Sequence, residues 1–285
     1  MRICFWHSDK PREHLLADAF ADGVTSAGDT IVRRALTDEK TVAPDCDVAC
    51  MVGVKSRELF WLHWRAGIHT IYFDKGYTRQ ALGGPIKIWE YWRVAVDAHQ
   101  PTKKLSYRDY PSDRADHLGL KYAPWRKGGS HIVLAGSSAK YHDFYGLSDP
   151  NRYYEKVIAE IRKHTRREVV YRPKPSWRDA TPLSNSRYSD SSRSIEEELI
   201  DAWALVTHGS NACFEAITAG VPCIILGDAV AKPLSSTELK DIESPRLASD
   251  DERQKWLNSL AYQQWTLREM STGEAWRVIR PQIYG

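Results

Sequence analysis

Residues 203–227 read WALVTHGSNACFEAITAGVPCIILG, and the order of residue types in this stretch decides the fold. An apolar run ends at Thr207, a glycine turn follows at His208-Gly209, and Ser210 or Asn211 is suited to cap a helix. Small and apolar residues at helical spacing continue to Ala219. Gly220 closes that helix, and Pro222 precedes a second apolar run, Cys223–Leu226. The sequence predicts strand, turn, helix, strand, with a connection long enough only for a parallel βαβ unit. In such a unit the first helical amides open at the carboxyl edge of the sheet, where anions bind. Glu215 is the one charge on a helix otherwise built from Ala212, Cys213, Phe214, Ala216 and Ile217, and it lies one turn from Asn211 on the same face. A carboxylate in that setting calls for a polar partner, and a ribose offers two adjacent hydroxyl donors. On the residues alone, an ordinary βαβ unit with a capped helix and a partly exposed glutamate reads equally well.

The same alternation extends in both directions. Towards the N-terminus, Ile132–Ala135 reads as a strand ended by Gly136-Ser137-Ser138, Asn151–His164 as a helix and Val169–Arg172 as a strand. Residues 175–193, PSWRDATPLSNSRYSDSSR, have no periodicity and read as a mobile loop before a helix at Ile195–Ala202. In the front half, strands are expected at Ile3–His7, Thr30–Leu36, Val48–Val52, His69–Asp74 and Trp92–Val96. Helices are expected up to about Ala27 and from Ser56 to near Gly67. Arg126-Lys127-Gly128-Gly129 looks like a junction, and Asp250–Gly285 reads as helical. The expectation is an α/β chain with residues 1–127 as one Rossmann-like domain, 128–262 as a second, and 263–285 as a terminal helix.

Composition narrows the class. The 285 residues are 42% hydrophobic and 27% charged, and no aliphatic run approaches the ~18 residues of a membrane span. The N-terminal MRICFWHSDK has no cationic leader ahead of an apolar stretch, so a cytoplasmic protein is expected. The five cysteines include no CxxC pair and mostly sit in apolar runs, as reduced core thiols do. Residues 1–127 carry 20 Lys and Arg against 16 Asp and Glu, and residues 128–285 carry 20 against 21. The mildly basic front half suits a polyanion, and a solvated surface accounts for it as well.

The run H-G-S-N-x-x-x-E-A-x-x-x-G-x-P resembles the donor-site signature of GT-B glycosyltransferases and related capsule-polysaccharide and polyol-phosphate transferases. The resemblance implies two Rossmann-like domains facing across a cleft, with the final helix packing back on the first domain and Trp265 and Trp276 as packing anchors. It implies phosphate contacts from His208, Gly209, Ser210 and Asn211 and ribose binding by Glu215. Arg172 and Lys174, beside Pro173 and Pro175, resemble the cation pair aimed at the donor diphosphate. Gly136 and Ser137 correspond to an interdomain loop that closes over the donor, with Lys140, Tyr141 and His142 following. The implied co-substrate is a nucleotide-diphosphate sugar, a UDP-sugar first, with no tightly bound cofactor.

The acceptor half is less legible. A glycosyl acceptor hydroxyl needs a base or a charge-stabilising carboxylate. Asp74, ending its strand before Lys75-Gly76, is the first expectation, and His7, ending the first strand, the second. Asp97 and His99 are strand-end polar groups in the same half. Asp45-Cys46-Asp47 matches the metal-binding Asp-x-Asp of GT-A enzymes but precedes a strand near the N-terminus, so no metal site is expected. Short length, a basic front half and 11 tryptophans fit a phage enzyme that acts in the host cytoplasm and glycosylates hydroxymethylated pyrimidines in DNA. Arg57, Arg65, Arg79, Lys87, Arg93, Lys103 and Lys104 would then be phosphate contacts. A bacterial surface polysaccharide or polyol-phosphate acceptor is the alternative, and a non-catalytic nucleotide-sugar-binding domain is a third.

Overall fold

The computed structural model describes residues 1–37, 41, 46–78, 81–82, 88–101, 109–189 and 192–284. The chain divides into two compact units, Met1–Leu118 with Asn258–Gly285, and Gly119–Leu257. Each is an α/β Rossmann-like unit built on a mainly parallel sheet.

The first unit begins β1 (Arg2–His7), α1 (Pro11–Ser26), β2 (Thr30–Ala35), β3 (Val48–Val52), α2 (Arg57–Arg65) and β4 (His69–Lys75). A two-stranded ribbon, β5 (Ala81–Leu82) with β6 (Ile88–Trp89), precedes β7 (Trp92–Val96) and the short α3 (Asp113–His117). β1 to β4 pair in parallel, and β7 lies antiparallel beside β4. All five residues of β3 are buried, as expected of a strand covered on both faces. Pro11 starts α1, where its missing N–H costs nothing, and Leu16, Ala17, Phe20 and Val24 form its buried face.

The second unit contains β8 (His131–Ala135), α4 (Ala139–Tyr145), α5 (Pro150–His164), β9 (Glu168–Arg172), β10 (Arg187–Tyr188), α6 (Ile195–Glu198), β11 (Ala202–Thr207), α7 (Ala212–Thr218), β12 (Cys223–Ile225) and α8 (Asp250–Ala261). Its five strands are all parallel, in the order β10-β9-β8-β11-β12. The chain returns to the first unit within α8. It then adds β13 (Gln264–Trp265), antiparallel to β7, followed by α9 (Leu267–Ser271) and α10 (Glu274–Ile279). The first sheet therefore runs β2-β1-β3-β4-β7-β13.

The C-terminal helices pack on α1, as the sequence implies, and Trp265 and Trp276 are both buried in the first unit's core. The stretch from Asp250 is not continuously helical, because Gln264-Trp265 pairs with Arg93 and Trp92 at the sheet edge. Residues 119–127, ahead of the expected junction, are tied to the second unit. Arg253, fully buried, donates to the carbonyls of Ala123 (2.6 Å) and Ile217 (2.9 Å), with Tyr122 and Trp125 against its guanidinium. The segment read as a mobile loop is anchored: Trp177, Leu183 and Ser189 are buried, and Arg187-Tyr188 adds an edge strand to β9. The cysteines are free thiols, buried except for the half-buried Cys46. No described helix is long and apolar enough to cross a membrane.

Candidate functional site

Each sheet has a point where the chain reverses its direction of growth, and such points open a crevice beyond the strands' carboxyl ends. In the second unit β9 and β10 are laid on one side of β8, and β11 and β12 on the other. The crevice falls between the ends of β8 and β11. Thr207 closes its floor by donating from Oγ1 to the Ala135 carbonyl at 2.8 Å and receiving the Ser210 amide at 3.0 Å. His208, Gly209, Ser210 and Asn211 form the turn directly beyond, and Glu215 follows half-buried on α7. Ala135 is in register with both Thr207 and Arg172, so Gly136, His208 and Arg172 reach the same edge.

The structure assigns these residues different work. Asn211 precedes α7 with helical backbone angles and no side-chain cap, and α7 has only seven residues, so a helix dipole contributes little here. His208 is buried against Tyr141, Tyr145 and Tyr153, and its Nδ1 lies 3.2 Å from the Tyr141 hydroxyl. Burial, helped by the nearby Lys232 charge, pushes its pKa down to about 4, so the ring is neutral at physiological pH. A Cβ on Gly209 would sit 1.7 Å from the Tyr141 hydroxyl oxygen. This glycine makes room for Tyr141.

Arg172 is buried in a side-chain network. It donates to Ser189 Oγ at 3.1 Å and to the Arg193 carbonyl at 2.7 Å, and Ser189 donates to Glu198 Oε1 at 2.6 Å. Glu198 is itself buried. Fixing a guanidinium in this way reduces the entropy a ligand contact must overcome. Lys174 is exposed beyond it, in a turn closed by the Trp177 amide on the Lys174 carbonyl. Gly136 and Ser137 are less open than expected. A Cβ on Gly136 would meet Pro173, Tyr171 and Tyr154 at 3.2–3.4 Å, and the Ser137 amide already donates to the Tyr154 hydroxyl at 2.9 Å. Sequence reasoning missed Ser189 and Glu198. Ser189 falls in the segment without periodicity and Glu198 on the helix expected at Ile195–Ala202, and no spacing pairs them.

In the first unit the direction of growth reverses between β1 and β3. His7 ends β1 there, half-buried, with its ring centroid 4.5 Å from that of His14. Glu13, buried on α1, accepts from the Ser8 amide (2.9 Å) and hydroxyl (2.8 Å) and fixes the β1–α1 turn. Asp74 is at the end of β4, away from the reversal. Its Oδ1 accepts the Lys75 amide at 2.8 Å, and its Oδ2 lies 3.2 Å from the fully buried Arg93. Asp74 is thus the carboxylate counterion of a buried guanidinium.

Several surface expectations change. Arg93 is fully buried, held by Asp74 and by Gln100 at 2.8 Å, and is no phosphate contact. Arg65 is exposed and Arg57 half-buried, while Arg79, Lys87, Lys103 and Lys104 lie outside the described residues. Asp97 receives the Thr70 amide at 2.8 Å and lies 2.9 Å from His69 Nδ1, and His99 is buried. Asp47 accepts the Arg2 amide at 2.7 Å, and Asp45 lies outside the described residues.

No protein-family model matches the chain, and no curated protein matches it in sequence. Solved structures do match in fold. A chain of Thermosulfurimonas dismutans KpsC described as a beta Kdo 2,4 transferase superposes with a TM-score of 0.57 at 13% identity, covering 99% of this chain and 98% of that one. A second KpsC chain from the same organism, described as a beta Kdo 2,7 transferase, gives 0.58 at 13% identity, covering 96% and 99%. The two Rossmann-like units, with C-terminal helices returned to the first, have the GT-B fold of glycosyltransferases.

Proposed function

We propose that the chain is a glycosyltransferase that binds a nucleotide-activated sugar in the second unit and transfers the sugar to a hydroxyl of a surface polysaccharide. The observation that carries this reading is the meeting of His208, Ser210, Asn211, Glu215 and Arg172 at the one edge where a doubly wound sheet opens a ligand crevice. Glu215 accepts from the ribose hydroxyls. Arg172, with Lys174 outside it, offsets the negative charge that stays with the departing nucleotide. His208, Ser210 and Asn211 complete the phosphate turn. The first unit takes the acceptor. His7, at that unit's own reversal point, is the favoured proton acceptor, and Asp74 serves as counterion to Arg93.

A polysaccharide acceptor is favoured over DNA by the likeness to two capsule-type Kdo transferase chains and by the loss of Arg93 from the basic surface. A thermal-shift panel of nucleoside mono- and diphosphates of all bases tests the donor site, because a ligand of the native state raises Tm. The preferred nucleotide, supplied as its sugar conjugate, is then incubated with capsule-type oligosaccharides and, separately, with hydroxymethylated DNA. Mass added to an oligosaccharide is expected. Mass added only to DNA replaces the acceptor assignment. Binding without transfer to either leaves a nucleotide-sugar-binding domain, and no Tm change with any nucleotide overturns the donor site.

A further inference from the structure

Tyr141 and His208 are 67 residues apart, yet two glycines are shaped to their contact. A Cβ on Gly209 would sit 1.7 Å from the Tyr141 hydroxyl oxygen and 2.8 Å from the Asp228 carbonyl. A Cβ on Gly227 would lie 2.2–2.5 Å from three atoms of the His208 ring. Any side chain at either place would drive the phenol or the imidazole out. Tyr145 and Tyr153 enclose the same ring edge-on, with centroids 5.7 and 5.8 Å away.

The Tyr141 hydroxyl has one proton, and the neighbours able to take it include His208 Nδ1 and the Tyr145 hydroxyl. An imidazole nitrogen is a far better acceptor than a phenol oxygen. The proton therefore goes to Nδ1, and Tyr145 donates to the Tyr141 oxygen, a chain in which each bond strengthens the next. With Nδ1 accepting, the ring hydrogen of the neutral imidazole must be on Nε2. That nitrogen has no protein partner among the described residues. Aromatic walls also exclude the water that would stabilise a charged ring.

We propose that Tyr141 is a positioning residue that locks His208 as its neutral Nε2–H tautomer, so that the donor turn presents a fixed hydrogen-bond donor to an anionic phosphate oxygen of the nucleotide. The phosphate part of this inference rests on the donor-site reading above, and the tautomer part does not. The charged and titratable groups around the ring are Tyr141, His142 and Tyr145 from α4, Tyr153 from α5, and Lys232 and Asp228 beyond β12. His142 is itself neutral and buried, with Nδ1 donating to the Ser148 carbonyl at 2.8 Å. None of these groups supplies a counter-anion in contact with the imidazole, so it stays uncharged well below neutrality.

The test uses Tyr141→Phe, which removes one oxygen and keeps the aromatic wall. Two-bond proton–nitrogen NMR on the ligand-free protein reads the His208 tautomer, with His208→Gln identifying the signals. The wild type should show Nε2–H alone from pH 8 to 5.5, and Tyr141→Phe a mixture of tautomers. Nucleotide affinity should fall about tenfold in Tyr141→Phe and in His208→Gln, with no further loss in the double variant. An Nδ1–H ring in the wild type, or an unchanged ring in Tyr141→Phe, overturns the proposal. Additive losses in the double variant overturn the phosphate part. If the wild type binds no nucleotide, the donor-site reading and the phosphate part fail together, and the ligand-free spectrum still decides whether Tyr141 sets the tautomer.

Discussion

Glu215 and Asp74 are both carboxylates near the carboxyl edge of a parallel sheet, and their surroundings separate their roles. Glu215 is half-buried on a helix of small residues beside the turn at the reversal point. Replacing it by alanine should leave the Tm of the free protein nearly unchanged and weaken nucleotide binding about tenfold to a hundredfold, the worth of one charge-assisted hydrogen bond. Calorimetric titration with the nucleotide found in the thermal-shift panel checks this. Asp74 neutralises a guanidinium that has no solvent access. Asp74→Asn should therefore destabilise the first unit by roughly 1–3 kcal/mol in denaturant unfolding, because Arg93 keeps its charge and loses its counterion. His7→Gln should do the reverse, with little change in stability and a loss of turnover on the order of a hundredfold. The turn at 208–211 and the helix carrying Glu215 were legible in the sequence because their spacing is local: cap, helical period, glycine and proline fall within 25 residues. The Asp74–Arg93, Tyr141–His208 and Arg172–Ser189–Glu198 contacts join separate elements, and no periodicity marks such pairs. That is why Asp74 reads as a base in the sequence and as a counterion in the structure.

The elements that positioned the site were the most legible. Apolar runs such as Val48–Val52 and Ile132–Ala135 are buried throughout, and burial on both faces leaves an unbroken apolar signal. β13 was invisible because two residues between helices have no period, and its strand state comes from pairing with Trp92 and Arg93. Helix α6 ends at Glu198, sooner than its pattern suggests, because Ala202 begins the strand paired with β8. The return of the C-terminal helices rests on a close approach that sequence alone does not reveal. A Cβ on Gly23 of α1 would be 1.9 Å from the Met270 carbonyl and 3.0 Å from the Gly273 Cα, both backbone atoms that cannot turn aside. Gly23→Ala should cost roughly 2–3 kcal/mol by overpacking, despite the better helix propensity of alanine. Gly128→Ala, where no atom lies within 4 Å, should change stability by less than about 0.5 kcal/mol. Parallel urea titrations of the two variants check the contrast, and equal midpoints would refute the close approach.

At the scale of the whole molecule, buried histidines set how the fold responds to mild acid. His63 in the first unit and His142 and His208 in the second all have pKa values lowered by burial, His208 to about 4. Each is close to its ordinary value in the unfolded chain, which therefore binds more protons than the native state as pH falls below about 6.5. The sign follows directly: the stability these rings contribute is fully present above about pH 6.5 and is lost as pH falls towards their native values. The native carboxylates act in a lower window. Asp29 is held below its ordinary value: burial opposes ionisation, but hydrogen bonds from Arg280, the amino terminus and Trp276 outweigh it. Its contribution, present above its unfolded value near 4, disappears only in stronger acid. Between pH 5 and 6 the histidines thus dominate, and each adds a slope of up to about 1.4 kcal/mol per pH unit. Unfolding free energies measured in that interval should fall with acidity, with His208 alone contributing close to one proton. His208→Gln should remove close to one proton from the slope, and Tyr141→Phe should leave most of it in place, since burial rather than the phenol keeps the ring neutral. A wild-type stability independent of pH from 6 to 5 would mean that these rings are charged or hydrated in the native protein. The neutral imidazole at the donor turn would fall with that result.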